Sequence, residues 1–161
     1  MVMNKLRLVS LNVRGMRGDK RHTVFRWLCE NDFNVVLLQE TYCTRSFVTK
    51  FNKNWSGEVF HSVSDSEHSR GVCIMLRKGL KCKIIDHHNC NEGRFIMVNM
   101  EVDGIGLSIA NVYAPNNTRD RIEYFSNVSD LIHTHALFNN ILIGGGTLIV
   151  LFEMRIDIHE T

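Results

Sequence analysis

The sequence predicts a mixed α/β sandwich with its helices on the outside, and three observations carry that expectation. The first forty residues read as strand, helix, strand; five β-prone segments crowd the middle third; and a helix followed by a strand closes the readable pattern. With 161 residues, 44% hydrophobic and 22% charged, the chain holds enough apolar material to build one compact core.

Lys5 to Asn12 alternates leucines with polar neighbours, which suits a half-buried strand. Arg14 to Lys20 follows with Gly15, Gly18 and several charges, so it reads as a loop. From Lys20 to about Asn31, Val24, Trp27 and Leu28 recur at helical spacing while Arg21, Arg26 and Glu30 take the other positions, predicting an amphipathic helix. Val35 to Leu38 is a continuous apolar run, as expected of a strand covered on both faces. Phe47 to Trp55 suits a second, shorter helix. The segments Gly57 to Val63, Val72 to Arg77, Cys82 to His87, Phe95 to Val102 and Leu107 to Val112 then read as an antiparallel meander. Asn117 and Thr118 offer N-cap chemistry before Ile122, Phe125, Val128, Leu131 and Ile132, whose spacing gives a helix one apolar face. A last strand, Asn140 to Ile143, runs into three glycines. There is no repeat or linker, and the single proline, Pro115, sits in a turn.

Composition excludes several classes. A net charge of +2 and a pI near 8.3 are too mild to establish a nucleic-acid partner, because a basic interface can sit on a nearly neutral molecule. Five cysteines, none in a C-x-x-C pair, imply neither a disulfide framework nor a zinc site. The N-terminus carries Lys5 and Arg7 and no apolar signal-peptide core. The longest nearly apolar stretch, Ile141 to Phe152, is well short of the roughly 20 residues that cross a bilayer. The chain therefore reads as soluble and intracellular, in nucleus or cytoplasm, with no membrane partner.

Two polar residues stand where an apolar strand stops: Asn12 closing L-V-S-L-N, and Glu40 closing V-V-L-L-Q-E. Strand ends are held rigidly, so a carboxylate and an amide there could share a hard, oxygen-seeking cation such as Mg²⁺. On spacing alone, the alternative that both merely mark an exit to solvent stays open. Arg14, Arg17, Lys20 and Arg21, offset only by Asp19, could hold phosphates without reading bases, or could form a solvated loop. In N-V-Y-A-P-N the proline restricts a turn that could face Tyr113 and Asn116 toward a phosphate. His87, His88 and Cys90 fall on opposite faces by strand alternation, and His133 and His135 do not face one another on a helix, so all read as surface or structural residues.

Taken together, L-N-V-R-G-M-R, L-L-Q-E-T, R-G-V-C-I-M-L, G-R-F-I-M-V, L-S-I-A-N-V-Y-A-P-N and I-L-I-G-G resemble, in order and spacing, the endonuclease/exonuclease/phosphatase family. The likeness is to the apurinic-endonuclease-like domain of LINE-type (non-LTR) retrotransposon proteins, and it covers nearly the whole chain up to Gly145. It implies a four-layer α/β/β/α sandwich of the DNase I-like type, with its C-terminal half-domain incomplete in this chain. It also implies hydrolysis of a DNA phosphodiester assisted by Mg²⁺ or Mn²⁺. Carried over by motif, Asn12 and Glu40 resemble the metal-site pair and Tyr113 the phosphate-orienting catalytic phenol, while Arg17, Asn116 and Arg14 resemble contacts to the DNA backbone without sequence readout.

The pattern breaks after I-L-I-G-G. There the family continues Asp-Phe-Asn, whose Asp activates water, whereas this chain has Gly146, Thr147 and Leu148; a Ser-Asp-His strand end is also expected later in the fold, and His159 lies in the wrong context for it. A coding run GAC-TTT-AAT-AGT-GTT read one base late gives Thr-Leu-Ile-Val, the residues at 147 to 150. The expectation is thus a family-like domain over 1–145 and a divergent, frameshifted or mis-joined tail over 146–161; sequencing the locus tests it, and failure of any one-base shift to restore Asp-Phe-Asn refutes it. The expected function is a retrotransposon-type DNA endonuclease domain, inactive as a truncated remnant. The alternatives are a non-catalytic module that binds a nucleic-acid backbone, or a family member acting on a small phosphoester.

Overall fold

A computed structural model describes residues 5–90 and 92–146, and the backbone of 150–155. The chain opens with β1 (Lys5–Asn12), α1 (Asp19–Glu30) and β2 (Val35–Gln39). A 3₁₀ turn at Arg45–Phe47 leads into the short α2 (Val48–Asn52), followed by β3 (Gly57–Ser62), β4 (Val72–Arg77), β5 (Cys82–Asn89), β6 (Phe95–Val102) and β7 (Ile105–Val112). Then come α3 (Thr118–His135), β8 (Ile141–Gly144) and β9 (Val150–Arg155).

The strands form two sheets, ordered β3-β4-β2-β1-β9 and β5-β6-β7-β8. Strand alternation then sorts the side chains into layers. Leu6, Leu8, Val35, Leu37, Ile74 and Leu76 from the first sheet meet Ile96, Val98, Met100, Leu107 and Ile109 from the second, all nearly or fully buried. On the outer face of the first sheet, Val9, Val36, Leu38, Cys73 and Met75 pack under α1 and α2 through Phe25, Leu28, Phe51 and Trp55. On the outer face of the second, Phe95, Met97 and Ala110 pack under Val128 of α3. The architecture is therefore a four-layer α/β/β/α sandwich, and each large apolar side chain in these layers contributes about 1.5–3 kcal/mol of burial energy.

The five middle β segments do not form one meander. β3 pairs antiparallel with β4 in the first sheet, whereas β5, β6 and β7 pair antiparallel in the second. The short turn from Lys78 to Lys81 thus carries the chain between sheets instead of closing a hairpin, because both faces of β4 are already buried and β5 has an exposed alternate face. Arg21 is a second departure from the amphipathic reading: it is 5% exposed, its Nε donates to Asn54 Oδ1 at 2.9 Å, and its guanidinium lies over the Phe47 ring.

Beyond β8, residues 150–155 add an antiparallel strand to β1, with Lys5 opposite Arg155 and Ser10 opposite Val150. No strand was expected there. The remainder of the 146–161 tail, residues 147–149 and 156–161, lies outside the described residues. Among the described residues no helix is long and apolar enough to cross a membrane, and all five cysteines are free thiols.

Candidate active site

β1 and β2 run parallel, and their register places Asn12 beside Gln39, so the chain leaves both strands at one end of the sandwich. The two exits are stitched together by backbone hydrogen bonds from Val13 N to Gln39 O (3.0 Å), Gly15 N to Glu40 O (2.6 Å) and Met16 N to Thr41 O (3.0 Å). A third segment joins them, since Thr41 and Tyr42 donate their N–H groups to Gly71 O and Arg70 O at 2.9 Å each. Arg14, Glu40 and Tyr42 all have left-handed backbones, with φ of 47°, 52° and 55°. For residues with a Cβ this conformation costs on the order of 1 kcal/mol each, and such strain concentrates where a side chain must be aimed.

What the strain aims is the Glu40 carboxylate. Asn12 Nδ2 donates to Oε1 at 2.8 Å and the Tyr42 hydroxyl donates to Oε2 at 3.1 Å. Asn12 is itself oriented, because its Oδ1 accepts from Arg14 N at 3.1 Å. From the second sheet, Tyr113 follows β7 and also hydrogen-bonds Glu40. Burial acts to raise the Glu40 pKa, but hydrogen bonds from Asn12, Tyr113 and Tyr42 and the charge of Arg14 outweigh it and leave the carboxyl below its usual value. Burial and the neighbouring carboxylate push the Tyr113 phenol up to about 12. At neutral pH the site therefore pairs an ionised carboxylate of low basicity with neutral phenol donors.

Tyr113 is fixed from behind. Its N–H donates to Arg94 O at 2.8 Å, Arg94 Nη1 donates to Tyr113 O at 3.1 Å, and the Arg94 guanidinium lies 5.2 Å from the centre of the Tyr113 ring. The Tyr124 hydroxyl, from α3, donates to Arg94 O at 2.6 Å. The following turn is clamped by Arg121, whose guanidinium donates to Pro115 O at 3.3 Å and Asn116 O at 2.7 Å. Glu40, Tyr113, Asn116, Arg121 and Phe125 line an open cleft of about 520 Å³, bounded on the far side by Ile143 to Gly146 of β8 and its exit.

The structure thus gathers Asn12, Glu40 and Tyr113 at one point, with Asn116 exposed along the same cleft and Arg14 exposed beside it. Arg17 goes elsewhere: it bridges to Glu67 at 3.2 Å, reaches Thr44 Oγ1 at 3.4 Å, and stacks over Phe47 at 4.5 Å. For a hard cation, the site offers one ionised carboxylate beside an open cleft, with the Asn12 amide orienting it, which fits the way Mg²⁺ is commonly held, by one or two carboxylates with water and substrate phosphate completing its shell. No cluster of three or more His, Cys, Asp or Glu side chains suited to a metal ion occurs among the described residues. His88 and His135 stack at 3.9 Å on the far side of the second sheet, where Asp86 and Asn99 tie the end of α3 down, so His135 is a packing residue more than a surface one.

Over 141 residues, 87% of this chain, the sequence is 26% identical to the Transposon TX1 uncharacterized 149 kDa protein of Xenopus laevis. Solved structures share the architecture at low identity. D. rerio TDP2 complexed with single-strand DNA product matches 89% of this chain at 20% identity with a TM-score of 0.68. An endonuclease/exonuclease/phosphatase family protein from Bacteroides thetaiotaomicron matches 88% at 11% identity and 0.65, and an AP endonuclease from Archaeoglobus fulgidus matches 87% at 19% identity and 0.65. The chain has the endonuclease/exonuclease/phosphatase fold. It spans 60%, 62% and 56% of those three structures and 11% of the transposon protein. No family model matches the sequence.

Within the endonuclease/exonuclease/phosphatase fold, several residues that shape this site escaped the sequence reading. Tyr42 lies two residues past a strand end, where no periodicity singles it out. Gln39 and Asn111, both fully buried, join the two sheets under the cleft through a hydrogen bond of 2.6 Å. Their signal was visible: each is an amide inside an otherwise apolar strand, and buried amides demand partners. Arg94 and Arg121 carried no such signal, because their partners are backbone carbonyls brought near only by the fold.

Proposed function

We propose that this chain is a DNA-backbone-binding domain of the retrotransposon endonuclease type, which holds Mg²⁺ or Mn²⁺ through Glu40 but does not hydrolyse its substrate. The observation that carries the reading is the convergence of Asn12 and Tyr113, each from its own strand end, onto the Glu40 carboxylate beside an open cleft. The 26% identity to a transposon protein supports the retrotransposon context, and the TDP2 complex with single-strand DNA product and the AP endonuclease support a nucleic-acid ligand.

Bound at Glu40, the cation would supply Lewis-acid stabilisation of charge on a phosphate oxygen. The chain's own residues would do the rest of the binding. Asn12 orients the carboxylate, and the neutral Tyr113 phenol, whose single proton faces Glu40 in the free chain, would turn it to a non-bridging phosphate oxygen once the cation takes up the carboxylate. Arg14, exposed beside the carboxylate, and Asn116 on the cleft rim hold the backbone electrostatically and by hydrogen bonding, with no reading of bases.

Hydrolysis needs a group that takes a proton from water, and the described site offers none of suitable basicity. Glu40 is held ionised by three donors and a cation, and Tyr113 is pushed away from the anionic form. Gly146, Thr147 and Leu148 occupy the position where the resemblance places the water-activating Asp and its neighbours, and none is a Brønsted base.

Nicking of supercoiled plasmid with Mg²⁺, beside Glu40→Ala, is the direct test. Background nicking by both proteins, together with DNA binding that weakens steeply as salt rises, is the expected result. Nicking above background that disappears in Glu40→Ala would overturn the non-hydrolytic part, and absence of DNA binding at low salt would overturn the whole reading.

A further inference from the structure

The Glu40 carboxylate is held on both oxygens, and beside Tyr113 the two groups that hold Oε1 and Oε2, Asn12 and Tyr42, differ in kind. Asn12 is one of the strand-end pair that the motif points to. Tyr42 is not: it lies two residues beyond Glu40 and its hydroxyl reaches back to Oε2 at 3.1 Å. Three features show that this reach is built in. Tyr42 adopts a left-handed φ of 55°, which an L-residue rarely does without compensation, and its N–H is satisfied by Arg70 O at 2.9 Å, an acceptor that itself has a left-handed φ of 60°. Its ring packs against Gly15, where a Cβ would come within 2.8 Å of the ring carbon Cδ2. Gly15 also has a φ of 95° and donates its N–H to Glu40 O at 2.6 Å, so the glycine that makes room for the ring also fixes the backbone of the carboxylate that the ring touches.

We infer that Tyr42 is a positioning residue for the metal site: its hydroxyl fixes the plane of the Glu40 carboxylate, and so sets the affinity of this chain for a divalent cation. The inference rests on the proposed reading of Glu40 as the cation's carboxylate. A carboxylate free to rotate about its last torsion presents its oxygens in many directions, whereas one held by an amide on one oxygen and a phenol on the other is ordered before the ion arrives. Partners of metal ligands acting in this way commonly change affinity by ten- to a hundredfold. Tyr42 takes no part in bond making, since it touches the ligand and not the reacting atoms.

The test uses Mn²⁺ alone as probe, with free ion counted by electron paramagnetic resonance, on the wild-type chain, Tyr42→Phe and Glu40→Gln, each with its folded fraction measured by urea unfolding. Tyr42→Phe keeps the ring against Gly15 and removes one hydroxyl. The expected result is Mn²⁺ binding lost in Glu40→Gln and weakened about tenfold in Tyr42→Phe, referred to folded protein. Equal affinity for wild type and Tyr42→Phe, or a difference that vanishes once corrected for folded fraction, would overturn the role of Tyr42 and leave the Glu40 reading standing. Identical weak binding by wild type and Glu40→Gln would overturn the Glu40 reading, and this inference with it.

Discussion

Gln39 Nε2 and Asn111 Oδ1 meet at 2.6 Å across the gap between the two sheets, directly beneath the carboxylate and phenol of the cleft. Glu40 is the next residue after Gln39, and Tyr113 lies two beyond Asn111, so this one bond sets the spacing of the two groups above it. Asn111 also donates to Leu38 O at 2.9 Å and Cys73 O at 2.8 Å, and Gln39 donates to Ser10 Oγ at 3.0 Å. Replacing Asn111 by Leu removes the partner of a buried amide and of two buried carbonyls at once. A stability loss of about 3 kcal/mol is expected in urea unfolding, more than a surface Asn would cost. A loss under 1 kcal/mol would mean that the amides carry little of the inter-sheet contact.

His61 gives the fold a dependence on pH. It faces Phe51, with ring centroids 5.0 Å apart, and its Nε2 lies 2.8 Å from Asn52 Oδ1 while its Nδ1 is buried with no partner. Burial lowers its pKa from the usual 6.5 to about 4. The unfolded chain therefore binds a proton between those values that the folded chain does not. Stability is full above pH 6.5 and falls as pH drops toward 4, where the folded imidazole also titrates and the slope ends. The shift corresponds to about 3 kcal/mol across that window. His61→Phe, which keeps an aromatic ring against Phe51, should flatten the urea midpoint between pH 4.5 and 6.5 relative to wild type, at about those pH values. An unchanged slope would assign the acid sensitivity to other groups.

The N-terminus of α3 holds the turn that carries Asn116. Asn117 is its N-cap, with an extended backbone and a side chain that accepts from Arg119 N at 2.9 Å. Asn117→Ala should cost about 1 kcal/mol in unfolding free energy, and Asn117→Gly only a few tenths, because glycine still suits the cap backbone. If both substitutions cost the same, the side-chain bond is not what stabilises the cap.

The placement of Asn12, Glu40 and Tyr113 at strand ends was legible because the apolar pattern of each strand, alternating in β1 and continuous in β2, stops plainly there, and a strand end has few places to go. The cap of α3 was legible for a similar local reason. The division of β4 and β5 between sheets was not, since the connection from Lys78 to Lys81 has the length of a hairpin and only the burial of both faces of β4 decides otherwise. Arg21 misled because a charge on a helix reads as solvent-facing, while here Asn54 and the Phe47 ring, far away in sequence, satisfy it in the interior. β9 lies in the stretch read as a divergent tail, and its pairing with β1 joins segments far apart in sequence.

The edge of the second sheet makes the last prediction. Among the described residues β8 pairs only with β7, in parallel, and its sequence I-L-I-G carries no charge, proline or bulge. At the opposite edge β5 carries Lys83 and Asp86 and a register irregularity between Ile84 and Asp86, the features that keep an edge from recruiting other strands. Beside β8 the exposed apolar side chains are Ile141 at 46%, Ile143 at 50% and Phe125 at 49%. An open strand edge next to contiguous apolar surface associates with other polypeptide, so the isolated chain should show a sedimentation coefficient that rises with concentration. Placing Lys at both Ile141 and Ile143 should abolish that rise. Both side chains are about half exposed, so the double variant should lose no more than about 1–2 kcal/mol of stability. A wild-type chain that sediments as a monomer at all concentrations would show that the edge is protected, and a double variant that associates equally would move the contact to another face.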